Sequence, residues 1–355
     1  MKQITLIKPY EFEERDVEIP ILKKGELLVQ IKNIGICGTD IHAFHGNQPY
    51  FSYPRVLGHE LSGIIVDAKI DNNSFLGKPV SILPYLFCGK CNSCVRGKTN
   101  CCAHLKVMGV HVDGGFGEYV SVPVDNIMIG REETDLEHLS MVEPLSISYH
   151  GIIRADILEN DWVIIFGAGP IGIGALMFAK SKTDKIILID INQNRINYCK
   201  SILGIEHSFN GNDETLFEQI KEVTNGHFAV IVIDATGNKK SIQQQLTFLG
   251  HGGKWILIGL QREDLHINHP EFHKREATLM SSRNATKHDF EQVMNKIDNK
   301  EIDPALLITH TLDFKEVVNS FSAFIGDQTL IKGIIKVDEL KKQGKMIPNE
   351  RNKDA

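Results

Sequence analysis

The sequence predicts an α/β protein in two parts: a β-rich, barrel-like region, then a doubly wound parallel sheet flanked by helices. Three observations lead to this reading. Short runs of alternating apolar and polar residues, broken by Gly and Pro, occupy the chain ahead of Glu143. Beyond Glu143, strand-like and helix-like patterns alternate as far as Ile258. The turn after the first of those strands is Gly167-Ala-Gly169-Pro170-Ile171-Gly172, a spacing that has meaning only between a strand and a helix.

In the first part, residues 26–33 alternate as a half-buried strand does. Segments 61–68 and 78–83 are further strands, punctuated by Gly25, Gly58, Gly77 and Pro84. Short strands with frequent turns point to a barrel-like domain. In the second part the order is strand 162–166, helix 171–180, strand 185–189, helix 194–203, strand 229–233, helix 240–249 and strand 255–258. Strands alternating with helices make βαβ units and a parallel sheet. A helix over 288–297 and a strand over 331–337 follow, and handedness rules do not decide which domain that last strand joins. Residues 338–355 are mostly charged or polar and read as a flexible tail.

The 355 residues suffice for two domains at ~100–200 residues each. Charged residues make up 24% and hydrophobic ones 42%, an ordinary balance for a globular protein in water. A net charge of -6 argues against nucleic acid as a partner. Residues 1–16 alternate polar and apolar side chains and lack the apolar stretch of a signal peptide. No run approaches the ~18 apolar residues of a membrane span. The expectation is a cytoplasmic protein with no membrane partner.

The glycine-rich turn is a candidate dinucleotide site. Gly167 permits the tight turn, Gly169 lets a pyrophosphate approach the backbone, and Gly172 packs helix on strand. Pro170 and Ile171 open the helix, whose free N–H groups favour phosphate. Asp190 ends the next strand, where a carboxylate can accept the ribose hydroxyls and repel a 2′-phosphate, so NAD is favoured over NADP. Arg195 qualifies this, because a nearby Arg accommodates that phosphate. Ala235 and Thr236, with Ile258 and Gly259, end later strands on the carboxyl side, where the nicotinamide half would lie.

Seven cysteines in a reducing compartment suit metal binding better than disulfides. Cys88, Cys91, Cys94 and Cys102 form C-x2-C-x2-C-x7-C, enough to close a tetrahedral, structural zinc site without water. Cys101 is left over and competes with Cys102 for the fourth place. A second, scattered set is Cys37, His59, Glu60 and Glu143. Three protein ligands and an open position make a catalytic zinc site, though each of these residues alone also has an ordinary structural reading.

Gly35-Ile-Cys37-Gly-Thr39-Asp40-Ile-His42, Gly58-His59-Glu60, the four-cysteine lobe, Gly114-Gly115-Phe116-Gly117-Glu118-Tyr119 and the glycine-rich turn occur in one order. In that order the chain resembles the medium-chain, zinc-dependent alcohol dehydrogenase family, on its polyol and threonine dehydrogenase branch. The resemblance implies a GroES-like β catalytic domain, residues 1–145 and 282–337, carrying two zinc ions. It implies a Rossmann NAD-binding domain over 146–281, with a small-molecule substrate in the cleft between them. Cys37 and His59 would be catalytic zinc ligands, and Glu60 and Glu143 alternatives for the third. Zinc would lower the pKa of a substrate hydroxyl, Thr39 would take its proton and His42 would pass it to solvent. Asp40 would hydrogen-bond the remaining ring N–H of His59 and set its tautomer.

The segments 46–58, 109–115, 270–275 and 282–286 resemble enzymes that oxidise a sugar acid, L-galactonate or L-gulonate, at C5. Arg283 and Asn284, where the chain returns to the catalytic domain, are the substrate candidates, since Arg pairs with carboxylates bidentately. His45, Asn47, Gln48, Arg55 and His111 are weaker ones. L-Threonine and a neutral polyol such as sorbitol are the alternative substrates; a non-catalytic nucleotide-binding protein is the alternative of another class. By analogy with relatives the protein is a homo-oligomer, dimer or tetramer, with residues 255–260 at the interface.

Overall fold

The computed structural model describes residues 1–48, 51–70 and 73–337. The expected tail, 338–355, lies outside the described residues. Among these, no helix is long and apolar enough to cross a membrane.

A seven-stranded sheet organises the first part. Its order is Ile308–Asp313, Lys332–Lys336, Glu26–Gly35, Glu60–Ala68, Pro79–Ile82 and Ile127–Ile129, with Tyr119–Pro123 also paired to Glu26–Gly35. Glu26–Gly35 is the hub because its alternation places Leu27, Val29 and Ile31 in the core. The C-terminal strand pairs antiparallel with it, Ile334 opposite Gly35, which settles the question the sequence left open. The N-terminal alternation forms a hairpin of Lys2–Lys8 and Glu11–Asp16.

The second sheet has six parallel strands: Val163–Phe166, Ile186–Asp190, His207–Asn210, Ala229–Asp234, Leu249–Leu257 and Thr278–Ser281. Numbered along the chain, they lie in the order 3-2-1-4-5-6, with the order reversing beside Val163–Phe166. Ligands of such sheets bind at that reversal, beyond the carboxyl ends of the strands. His207–Asn210 and Thr278–Ser281 carry too few apolar residues to have been anticipated.

Two expectations change. The helix expected over 240–249 ends at Gln245 and closes in a 3₁₀ turn, because Leu249 already belongs to a strand. Trp255 and Ile256, expected at an interface, are buried in the sheet, and of that segment only Leu260 is widely exposed. Helix Val142–Ala155 runs across the expected division at 145/146. Its buried face, with Val142, Leu145 and Ile152, belongs to one core that joins Tyr85 and the cysteine lobe to the parallel sheet.

Candidate active site

Strand register builds the metal cluster. Antiparallel pairing sets Gly35 opposite Glu60, so Cys37, just past one strand, meets His59 and Glu60 at the start of the other. Gly35 must be glycine, since a Cβ there would overlap the Glu60 carboxylate. Gly58 turns the chain into this position at φ +92°, packed on Phe116. The donor atoms of Cys37, His59 and Glu60 all lie within 4.8 Å of one another.

Glu143 lies outside that group but is buried in its field. Tyr85 donates its hydroxyl to Glu143 Oε1, while Oε2 is buried with no partner. Burial pushes the Glu143 carboxyl up to about 7, with the Glu60 charge adding and the His59 and Lys332 charges opposing. Glu60 is paired instead with Lys332. Both are 1% exposed, and Lys332 Nζ also donates to the Ile36 carbonyl at 3.0 Å. Arg283 pairs with neither glutamate among the described residues.

Burial alone would lower the His59 pKa, but the Asp40 and Cys37 charges raise it well above the ordinary value. The cluster thus gathers a thiol, an imidazole and carboxylates beside a carboxylate oxygen that has no partner. That donor set, one thiol, one imidazole and a carboxylate, fits zinc. The bond expected from His59 to Asp40 is not made. Nδ1 of His59 is 3.8 Å from Asp40 Oδ1 and has no hydrogen-bond partner. Asp40 is committed to the backbone, accepting from Cys37 N at 2.9 Å to cap the helix Gly38–Phe44. On that short helix Thr39 is half-buried and His42 exposed, three residues apart and so on one face. Desolvation and the Arg262 charge lower the His42 pKa.

The four-cysteine lobe gives a geometric test. Sulfurs ~2.3 Å from a central zinc stand about 3.8 Å apart in a tetrahedron. Cys91 Sγ is 3.5 Å from Cys94 Sγ and 3.9 Å from Cys102 Sγ. Cys102 belongs to this group and Cys101 is exposed, which decides between them. Backbone N–H groups of Ala103 and Cys94 lower the Cys91 thiol to about 6, while desolvation and the neighbouring sulfurs raise Cys94 to about 12. Four thiolates cannot coexist there without a cation, so the lobe fits zinc as well.

The nucleotide turn is formed as expected locally. Gly167 has φ +102°, and a Cβ on Gly172 would overlap the Gly167 carbonyl. A Cβ on Gly169 would enter open space, with only Arg195 Nη1 near, at 3.8 Å. That space, at the start of helix Pro170–Lys180, fits a phosphate group. Asp190 accepts from Ala168 N at 2.5 Å and Asn192 N at 2.7 Å, which fixes its carboxylate beside the turn. Arg195 donates to the Leu330 carbonyl at 3.1 Å, just ahead of the first sheet's strand Lys332–Lys336. Ala235 and Thr236 pack on Gly167, Ile258 packs on Gly151, and Gly259 N bonds the Asp234 carbonyl at 3.0 Å. Asp234 and Gln245, linked to the Trp255 indole, hold the Thr236–Gly237 turn from beneath.

At the return to the catalytic domain, Arg283 is exposed and Asn284 adopts φ +51° with Nδ2 buried and unpartnered. Asn100 of the cysteine lobe donates to the Arg283 carbonyl at 2.9 Å. Sequence reasoning missed Lys332, Tyr85 and Asn100. A lysine inside the apolar run 330–335 was a signal for the first; the other two carried none.

A Lewis-acid metal and a hydride acceptor are the machinery of alcohol oxidation, and fold and site together define a zinc-type dehydrogenase acting on CH–OH groups. The chain belongs to the zinc-dependent medium-chain alcohol dehydrogenase family. The family model for the alcohol dehydrogenase GroES-like domain matches residues 23–130, and that for zinc-binding dehydrogenase matches residues 170–299. The chain is 40% identical to an L-galactonate-5-dehydrogenase of Escherichia coli K12, over 94% of this chain and 98% of that one. It is 31% identical to an L-threonine 3-dehydrogenase of Caldanaerobacter subterraneus, over 74% and 78% of the two chains. Among solved structures, the alcohol dehydrogenase rspB of Escherichia coli CFT073, complexed with NADH, superposes with a TM-score of 0.88 at 32% identity, over 95% of this chain and 99% of that one.

Proposed function

We propose that this protein oxidises a secondary hydroxyl of a sugar acid, at C5 of L-galactonate or L-gulonate, with NAD as acceptor. The observation that carries the reading is the convergence of Cys37, His59 and Glu60 into one donor cluster. The likeness to an L-galactonate-5-dehydrogenase supports the sugar acid, and the likeness to a structure holding NADH, with Asp190 beside the turn, supports NAD. In this reading residues 1–145 and 282–337 are the catalytic domain and 146–281 the nucleotide domain.

Cys37, His59 and Glu60 would hold the catalytic zinc, with Glu143 Oε2 as the neighbouring oxygen; Cys88, Cys91, Cys94 and Cys102 would hold the structural one. Bound there, zinc supplies Lewis acidity that brings a hydroxyl pKa towards neutrality, and NAD supplies the hydride acceptor. Thr39, half-buried behind Cys37, takes the hydroxyl proton, and His42 releases it to solvent. Lys332 neutralises Glu60, and Tyr85 fixes Glu143. Gly167, Gly169, Pro170, Ile171 and Gly172 seat the pyrophosphate, Asp190 accepts the ribose hydroxyls, and Arg195 borders them. Ala235, Thr236, Ile258 and Gly259 border the nicotinamide half. Arg283 and Asn284 contact the substrate.

The test is a panel of L-galactonate, L-gulonate, L-idonate, sorbitol and L-threonine, each with NAD or NADP, followed by cofactor reduction. Turnover of L-galactonate or L-gulonate with NAD is expected. Turnover of threonine alone overturns the substrate, and a tenfold preference for NADP overturns the role of Asp190.

A further inference from the structure

An open recess of about 620 Å³ is lined by Phe51, Ser52, His104, Lys106 and His111, with Leu105 and Val110. Its wall is the segment Gly109–Gly114, which packs on the residue preceding His59. A Cβ on Gly109 would stand 2.8 Å from Gly58 N, and one on Gly114 would overlap the Gly58 carbonyl.

The recess is cationic in a chain whose net charge is -6. Arg55 is tied to Asp113 at 3.2 Å and Ser52 at 3.0 Å, so its charge is compensated. Lys106 and Arg283 make no ion pair among the described residues. Both act on His111, whose pKa is lowered by desolvation first and then by Arg283, Arg55 and Lys106. His111 Nδ1 accepts the Val107 N–H at 3.1 Å. That bond places the ring proton on Nε2, which is left as a donor. The uncompensated Lys106 ammonium and a neutral imidazole with a set tautomer suit an anion that also carries hydroxyls.

We propose that this recess is the carboxylate end of the substrate site, where Lys106 holds the carboxylate and His111 donates its Nε2–H to a substrate oxygen. The inference rests on the sugar-acid reading above and assigns the groups that would enforce it. It predicts discrimination against a polyol of the same stereochemistry, which offers no charge to Lys106.

The test is steady-state kinetics of the zinc-loaded, full-length enzyme with L-galactonate and with its neutral reduced polyol. Lys106→Gln and His111→Phe should each raise KM for L-galactonate roughly 10-fold or more, the scale of a lost charge-assisted or donor contact. Their kcat at saturation should stay within about threefold, because the chemistry lies elsewhere. His111→Asn, which keeps a donor, should recover much of the KM. Lys106→Gln should leave KM for the polyol unchanged. If the wild-type enzyme oxidises the polyol and not the acid, the sugar-acid reading and this inference both fall. If it oxidises the acid and neither variant changes KM, this inference alone is overturned.

Discussion

Replacing Lys332 by Met should destabilise the protein more than any exposed substitution. Lys332 and Glu60 are each 1% exposed, and the ammonium also holds the Ile36 carbonyl at 3.0 Å. Met keeps the length of the stem but removes the charge, leaving Glu60 buried against the carboxylates of Asp40 and Glu143. Breaking one side of a buried ion pair costs about 3–5 kcal/mol. Zinc would offer Glu60 a second counter-charge, so the zinc-loaded protein should show the lower end, about 3 kcal/mol. Urea unfolding at pH 7, followed by circular dichroism, reads this as a fall in midpoint at unchanged slope. Lys332→Met with Glu60→Gln should be more stable than Lys332→Met alone, because the stranded charge is gone. A loss under about 1 kcal/mol in the single variant, or a double variant no better than the single, would refute the reasoning.

Thr39→Ala should lower kcat roughly 10²-fold, the scale of an acid–base group, with little change in substrate KM; an unchanged kcat where chemistry limits the rate removes Thr39 from the proton path. Cys88→Ser should reduce metal content by one zinc per chain, measured by elemental analysis, while the Cys37 site keeps its own. Asp289 offers a pH test. Its burial would raise the carboxyl pKa, but bonds from His150, at 2.9 Å, and from Thr286 hold it below the ordinary value. A depressed carboxyl stabilises above the unfolded pKa of ~3.9 and loses that contribution as pH falls through the folded value. The stability gap between wild type and Asp289→Asn should therefore be constant from about pH 6 to 8 and close below about pH 4; a gap that widens on acidification contradicts it.

Legibility followed the distance between cooperating residues along the chain. The turn Gly167–Gly172 and the lobe Cys88–Cys102 are each complete within a few residues, so spacing alone displayed their chemistry. The catalytic cluster was legible only through its resemblance to a family, because Cys37 and His59 meet through the register of two strands. Asp40 shows the limit of motif reasoning. The residue is buried beside His59 as expected, but helix capping claims its carboxylate at 2.9 Å while the ring stays 3.8 Å away. Local backbone demand outweighed the expected side-chain bond.

By itself, then, the sequence determined the two-part α/β architecture, the nucleotide turn and the cysteine lobe, since hydrophobic period, glycine spacing and thiol spacing are local properties. Only the tertiary structure decided that the final strand completes the first sheet and brings Lys332 to Glu60, 272 residues away along the chain. It also decided that Tyr85 takes one oxygen of Glu143 and leaves the other without a partner. Those contacts come from strand register and the packing of helix Val142–Ala155. No local pattern encodes them, because a buried charge finds its partner in space rather than in sequence.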